Sequence, residues 1–132
     1  MANGTVLTNV GEEWVSERIA GAQGTGATNN SANAGTHVGV GTGTTTPAKA
    51  DTTLVTEVET RAATTVTVAG GTGAAAKYQA TATVAIGATR AIAEVGLFSA
   101  SSAGSMFIRC VHDVLNVVSG DSIAYTITID PS

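Results

Sequence analysis

The chain has 132 residues, of which 12% are charged and 4% are aromatic, and its formal net charge is −4. This length fits one domain that buries roughly two-thirds of its unfolded surface, so we expect residues 1–132 to form a single unit. The six basic residues are scattered along the chain, which argues against binding to nucleic acid because such binding needs a basic patch.

Threonine and glycine are abundant, and both favour an all-β domain. β-Branched threonine suits the outer face of a strand, and glycine suits the turns between strands. A surface with so few charges is weakly protected against association. We therefore expect a protein that lies packed against copies of itself or against another surface.

The chain shows neither a signal-peptide pattern nor an apolar run of the roughly 18 residues that a membrane span needs. Cys110 is the only cysteine, so no intrachain disulfide can form. We expect a protein that folds in a reducing cytosol and has no membrane partner.

The first predicted element is a helix over Asn9–Ala20. Thr8 or Asn9 can cap its start, and Gly21 can end it in a left-handed conformation. Trp14 on this helix has two interpretations. It either attaches the helix to the domain's own sheet, or it anchors the helix on a partner, since tryptophan is enriched in interface hot spots. The candidate docking residues are Trp14, Val15, Arg18 and Ile19.

A low-complexity loop, Gly21–Gly35, follows the helix and is rich in glycine, asparagine and threonine. It has too little apolar area to order itself, so we expect it to be flexible or moulded by a neighbour. Residues 1–35 are thus predicted to form an N-terminal helix and an adaptable loop.

Alternation of apolar and polar residues predicts six strands and, at Thr5–Leu7, a further short one. Asp51 to Val58 is predicted to form one or two helical turns, with Leu54 and Val58 facing inward. The resulting fold class is a single β-sandwich, jelly-roll-like, of six to eight strands. The six predicted strands are Thr36–Gly41, Glu59–Ala69, Lys77–Ile86, Ala91–Ser99, Ser105–Asp113 and Ser122–Ile129.

Two glycine-rich stretches superficially resemble phosphate-binding loops. Gly39, Gly41 and Gly43 lack the required spacing and a following helix, and Gly71–Lys77 lacks the serine or threonine that would hold magnesium. We interpret both stretches as structural glycine and expect no cofactor.

Cys110 and His112 share one face of a strand, but two ligands do not make a zinc site. His112, Asp113 and a serine have the residue types of a catalytic triad. However, neighbouring residues on a strand point to opposite faces, and no nucleophile elbow is present. We therefore expect no metal site and no catalytic residue, and we interpret the chain as a non-enzyme.

Glu94 lies in an otherwise apolar strand. If it were buried alone, its pKa would rise, as in a catalytic acid. The favoured interpretation is an ion pair with Arg109 on the neighbouring strand, because buried charges are normally paired.

Three segments resemble structural proteins of the virions of tailed bacteriophages. They are Leu7–Trp14; Ala34–Asp51 with the following Thr52-Thr53-Leu54 and Arg61; and Ala93–Phe98 with Met106–Arg109 and the Ser119–Ser122 turn. The resemblance implies a part of the virion made in the cytoplasm of a bacterial host. Two placements stay open: a capsid decoration (cement) protein, or a component of the tail, baseplate or fibre.

The small size, the low charge and the absence of a repetitive shaft favour the decoration protein. In that case the implied partners are the major capsid protein and other copies of the chain, as a trimer or another homo-oligomer.

Overall fold

A computed structural model describes residues 4–20, 35–70 and 77–130. In these ranges the chain forms one helix and eight strands, arranged as two antiparallel sheets packed as a β-sandwich. The predicted all-β sandwich is thereby confirmed. The elements are β1 (Thr5–Leu7), α1 (Asn9–Ala20), β2 (His37–Gly41), β3 (Glu57–Ala63), β4 (Thr65–Ala69), β5 (Lys77–Ala85), β6 (Arg90–Phe98), β7 (Met106–Val117) and β8 (Ser122–Ile129).

The larger sheet has the strand order β1-β7-β6-β2-β3, and the smaller sheet has the order β4-β5-β8. Apolar side chains from both sheets meet in the middle and form the main core. Each fully buried aliphatic or aromatic side chain stabilises the fold by roughly 1.5–3 kcal/mol. The core includes Val38, Val40, Ala80, Val84, Ile92, Leu97 and Phe107, all with no exposed surface.

The helix begins and ends as predicted, and Thr8 caps it. The Thr8 hydroxyl accepts a hydrogen bond from Gly11 N–H at 3.1 Å and donates to the carbonyl of Met106 at 2.7 Å. Gly11 allows this close approach to β7, since a Cβ there would lie 2.2 Å from the carbonyl oxygen of Phe107. The cap therefore also fixes the helix to the larger sheet.

The helical turns predicted for Asp51 to Val58 are absent, and this prediction is wrong. The backbone N–H groups of Val55 and Thr56 donate to the Glu94 carboxylate instead of to carbonyls one helical turn earlier. The carboxylate of Asp51 accepts from Ala48 N–H and closes a tight turn. Leu54 is buried as predicted, in a second, smaller core with Phe98 and Met106.

The single strand predicted over Glu59–Ala69 is two strands in different sheets, β3 and β4. The chain leaves the larger sheet at Thr64, whose N–H still donates to the carbonyl of Thr36. The predicted strand Ser105–Asp113 was also too short, since β7 runs to Val117. The remaining strand predictions agree with the structure to within about one residue, and Thr5–Leu7 is confirmed as β1.

Helix α1 has 12 residues. No helix in the described ranges has the length and apolar character needed to cross a membrane. The predicted adaptable loop lies outside the described residues except for Gly35.

Candidate functional site

The most buried polar group in the described chain is an ion pair between β6 and β7. The Glu94 side chain has no exposed surface and the Arg109 side chain is 1% exposed. Arg109 Nη2 lies 2.9 Å from Glu94 Oε2, and Arg109 Nε donates to the same oxygen at 3.0 Å. The predicted pairing of Glu94 with Arg109 is confirmed.

Backbone groups from a distant loop complete the coordination of the Glu94 carboxylate. Oε1 accepts from Thr56 N–H at 2.8 Å and from Gly43 N–H at 3.2 Å, and Oε2 accepts from Val55 N–H at 3.1 Å. Burial raises the pKa of Glu94, but these hydrogen bonds together with that from Arg109 outweigh it. The net pKa lies below the ordinary value, because the charged form is the one that accepts all the bonds.

Arg109 in turn binds the segment before β3. Its Nη1 lies 3.0 Å from Asp51 Oδ2, and its Nη2 donates to the carbonyl of Thr45 at 3.0 Å. The pair therefore attaches residues 42–56 to the larger sheet. Such a pair holds a loop in one conformation, and it is saturated with protein partners rather than open to a substrate.

Two glycines of the glycine-rich stretch, Gly41 and Gly43, have their function inside this cluster. A Cβ on Gly41 would lie 2.3 Å from Glu94 Oε1, and one on Gly43 would lie 2.7 Å from the same atom. These glycines let the backbone approach an internal carboxylate. Gly39 and Gly41 lie within strand β2, and residues 71–76 of the other stretch lie outside the described part.

A second candidate is a cleft of about 260 Å³ between the two sheets. It opens on the side where β7 and β8, which belong to opposite sheets, lie near each other. Its walls combine aliphatic side chains with one thiol, one imidazole and one phenol. The lining residues are Thr5, Val95, Ile108, Cys110, His112, Tyr125, Thr126, Ile127 and Thr128.

The polar side chains of the cleft bond to each other. His112 Nδ1 lies 2.7 Å from the carbonyl oxygen of Asp113, which can only accept, so Nδ1 carries a proton. In the neutral ring Nε2 then accepts from the Tyr125 hydroxyl at 2.9 Å. Thr5 Oγ1 donates to Cys110 Sγ at 3.0 Å.

The phenol of Tyr125 is held in its neutral form. Burial, and secondarily the nearby Cys110, raise the pKa of Tyr125 to about 12. Cys110 is part-buried rather than fully buried. His112 bonds to the backbone of Asp113 and not to its carboxylate, so the triad considered above does not assemble.

Sequence alternation placed Cys110 and His112 on one face, and the structure brings them to the same cleft. Tyr125 and Thr5 were not expected there, because no local signal shows which strand of the second sheet faces β7, or that β1 pairs with β7. Within residues 4–20, 35–70 and 77–130, no three histidine, cysteine, aspartate or glutamate side chains gather to hold a metal ion.

Of the candidate docking residues, Val15 is part-buried and packs against the main core. The side chains of Trp14, Arg18 and Ile19 lie outside the described part of the chain. A partner role for these four residues stays a prediction. The packing of Val15 agrees with a helix attached to the domain's own sheet.

No protein family matches this chain. No curated protein and no solved structure gives a significant match to it.

Proposed function

We propose that this protein is a structural component of a bacteriophage virion, most specifically a decoration protein that binds over the joints between major capsid subunits and reinforces the head. The proposal includes a homo-oligomeric state, a jelly-roll-like arrangement of the strands in the sandwich, and a location on the capsid surface. The sequence resemblance motivates it.

The observation that carries the proposal is the apolar character of a surface with few charges. Charged residues are 12% of the chain, and several large aliphatic side chains on strands and connections are between 42% and 70% exposed. These side chains are available for burial against neighbours, and three of the five lie within five residues of each other at the end of β7. They are Val55, Val68, Val114, Leu115 and Val118.

The polar clusters support the same function. Glu94 and Arg109 fix residues 42–56, and His112 and Tyr125 bond to each other across the sheets. Both arrangements favour a rigid scaffold. A rigid block that binds many equivalent sites gains occupancy by multivalency, even where each contact buries only about 600–800 Å² per partner.

In the proposed mechanism the sandwich bridges two or more capsid subunits. Helix α1 and the segment after it adapt to the shell, with Trp14 as the anchor. Cap contacts at Thr8 hold the start of this helix on β7, and the proposal assigns the partner contacts to residues further along it.

The test is to mix purified protein with undecorated heads and to count the copies bound per particle. We expect saturable binding to heads and none to isolated tails. Binding to tails or baseplates alone would replace this proposal with the tail-component alternative, and binding to neither would refute both placements.

A Trp14→Ala variant tests the anchor, with Thr83→Ala as the matched control on the exposed face of β5. We expect the Trp14 variant to bind heads at least about tenfold more weakly, as for a hot-spot tryptophan. A folded Trp14→Ala protein that binds as well as the control would remove the helix from the docking surface.

A further inference from the structure

The edges of the larger sheet in the described chain are blunted against pairing with another strand. Strand β1 has three residues and pairs only with residues 108–110 of β7, and the open stretch of β7 at residues 112–117 carries the charge of Asp113. Strand β3 carries Glu57, Glu59 and Arg61, and it bulges between the pairs Val38↔Ala62 and Val40↔Val58. Short length, charge and bulges are the usual means by which proteins prevent edge-to-edge association.

Strand β8, at the edge of the smaller sheet, has none of these protections. Its eight residues, SIAYTITI, include no charge and no proline, and it pairs with β5 in register along its whole length. Strand β4, at the other edge, has five residues. The longest unprotected edge among the described strands is therefore the outer edge of β8.

The register shows which backbone groups face that edge. Ala85 lies opposite Ser122, and Ile86 N–H donates to the carbonyl of Asp121 at 2.9 Å. Hydrogen-bonded pairs alternate along an antiparallel ladder, so the odd-numbered residues of β8 bond to β5. The N–H and C=O groups of the even-numbered residues then point away from β5, towards the open edge of the sheet. These residues are Ser122, Ala124, Thr126 and Thr128.

The two faces of β8 suit pairing with an identical strand. Residues that lie opposite each other in an antiparallel pair are on the same face of the sheet. In a two-fold pairing the axis must therefore pass beside one residue that lies opposite its own copy. Near the middle of β8 this residue is Tyr125 or Thr126. With either centre, the small side chains on the exposed face of β8 lie opposite small side chains of the second copy. The large side chains that face the core lie opposite large ones. No like charges meet within Ser122–Ile129.

The inward side chains of β8 also gain burial from such a pairing. Ile123, Tyr125, Ile127 and Ile129 pack against the core but are only part-buried in the single chain. The cleft of about 260 Å³ lies beside them. A second β8 would bring its own inward residues next to this open side of the sandwich.

We propose that a second copy of this chain pairs antiparallel with the outer edge of β8, which joins the two three-stranded sheets into one across a two-fold axis. The inference deepens the self-association in the proposed function and rests on that part of it alone. Attachment to heads is not needed for it, so the protein is tested by itself.

The first test is the mass in solution by sedimentation, for wild type and for two charge-matched variants. Ala124→Lys/Thr126→Lys places lysines on the exposed face at the proposed axis, whereas Thr83→Lys/Ala85→Lys places them on the same face of the central strand β5. We expect wild type and the β5 variant at twice the 13.0-kDa chain mass. The β8 variant should dissociate with a constant at least about tenfold higher, because like charges oppose each other.

Raising the salt concentration shows whether the β8 variant dissociates because of charge repulsion or because it misfolds. Screening acts over about 10 Å at 0.1 M salt and about 3 Å at 1 M, so high salt should restore much of the dimer in the β8 variant. A wild-type protein that is monomeric at its highest soluble concentration overturns the inference. So does a β8 variant that associates as well as the β5 variant.

The second test is oxidative cross-linking. Thr126→Cys alone should form a disulfide dimer if the axis passes through Thr126, and a mixture of Ala124→Cys with Thr126→Cys should do so if it passes through Tyr125. Residues opposite each other in a hydrogen-bonded pair have Cα atoms about 5.5 Å apart, within disulfide range. Thr83→Cys is the control and should not cross-link.

The proposed two-fold pairing is also overturned if the protein is oligomeric in solution but neither cysteine experiment gives a disulfide dimer. Pairing of β8 of one copy with β4 of the next, in a chain or a ring, would give this result. Loss of head binding with the dimer intact would refute the proposed decoration role alone. A monomer that still binds heads would refute the β8 pairing alone.

Discussion

Glu94 and Arg109 lie side by side across β6 and β7, although their backbones are two positions out of register. Arg109 is paired with Gly96 and Glu94 with Val111 in the ladder, yet the side chains meet at 2.9 Å. A Cβ on Gly96, opposite Arg109, would lie 2.9 Å from Phe98 Cε2 and 3.1 Å from Leu54 Cδ2, so this glycine makes room for the smaller core beside the pair. This diagonal contact organises residues 42–56, whose backbone binds to both side chains.

Removing one member of this pair should strongly destabilise the fold. Arg109→Met leaves the buried carboxylate without its cation, and loss of one partner of a buried pair costs about 3–5 kcal/mol. Equilibrium urea unfolding measures the change. Lys49→Met, which removes the exposed pair with Glu12, is the control and should change the free energy of unfolding by less than about 1 kcal/mol. Equal losses for the two variants would contradict the structural role of the buried pair.

Stability should fall in acid, in part through Glu94. Its folded-state pKa lies below the ordinary value of 4.5, so the unfolded chain takes up a proton first as the pH drops. The stabilisation is therefore complete above that value and is lost as the pH falls through the folded-state pKa. Urea unfolding at a series of pH values should show a shallower acid decline in Glu94→Gln than in wild type.

The contribution of Glu59 to the loss of stability in acid can be compared with that of Glu94. The hydrogen bond from Arg90, then that from Gly87 N–H, lowers the pKa of Glu59, and the Arg90 side chain is 37% exposed. We expect Glu59→Gln to flatten the acid decline less than Glu94→Gln does, because solvent weakens the surface pair. The opposite order would show that Glu94 is not the main acid-sensitive group of the two.

The two tyrosines should resist ionisation until strongly alkaline pH. Burial raises the pKa of Tyr78 to about 12, and burial with a smaller contribution from Cys110 does the same for Tyr125. The unfolded chain, with tyrosine pKa near 10, loses these protons first, so the stabilisation is present below pH 10 and is lost towards pH 12. Near-ultraviolet absorbance of the phenolate should rise in one late, cooperative step with unfolding. Ionisation near pH 10 in the folded protein would contradict this.

Gly41→Ala should be far more harmful than Gly87→Ala. A Cβ at Gly41 would lie 2.3 Å from Glu94 Oε1 and 2.4 Å from the carbonyl oxygen of Thr56, whereas one at Gly87 lies 3.2 Å from Glu59 Oε2. The first clash involves backbone and a buried carboxylate, and it should cost about 1–3 kcal/mol or more, as in an overpacked core. The second involves a side chain that can shift by a few tenths of an ångström. Thermal unfolding of the two variants decides between them.

The sequence by itself determined the elements whose pattern is local. Apolar-polar alternation located most strands, and Thr8, Asn9 and Gly21 located the helix, because period and caps depend on neighbours a few residues apart. The pairing of Glu94 with Arg109 also followed from the sequence, since a charge in an apolar strand needs a partner and adjacent strands offered one.

Tertiary structure decided what depends on distant contacts. Alternation has the same period in both sheets, so the sequence could not show that β3 ends at Ala63 and that β4, in the other sheet, begins at Thr65. The helical turns expected at Asp51–Val58 gave way because Val55 and Thr56 donate to Glu94, almost forty residues later in the chain. The meeting of His112 with Tyr125, and the unprotected edge of β8, likewise arise from the order in which strands pair, which only the folded chain fixes.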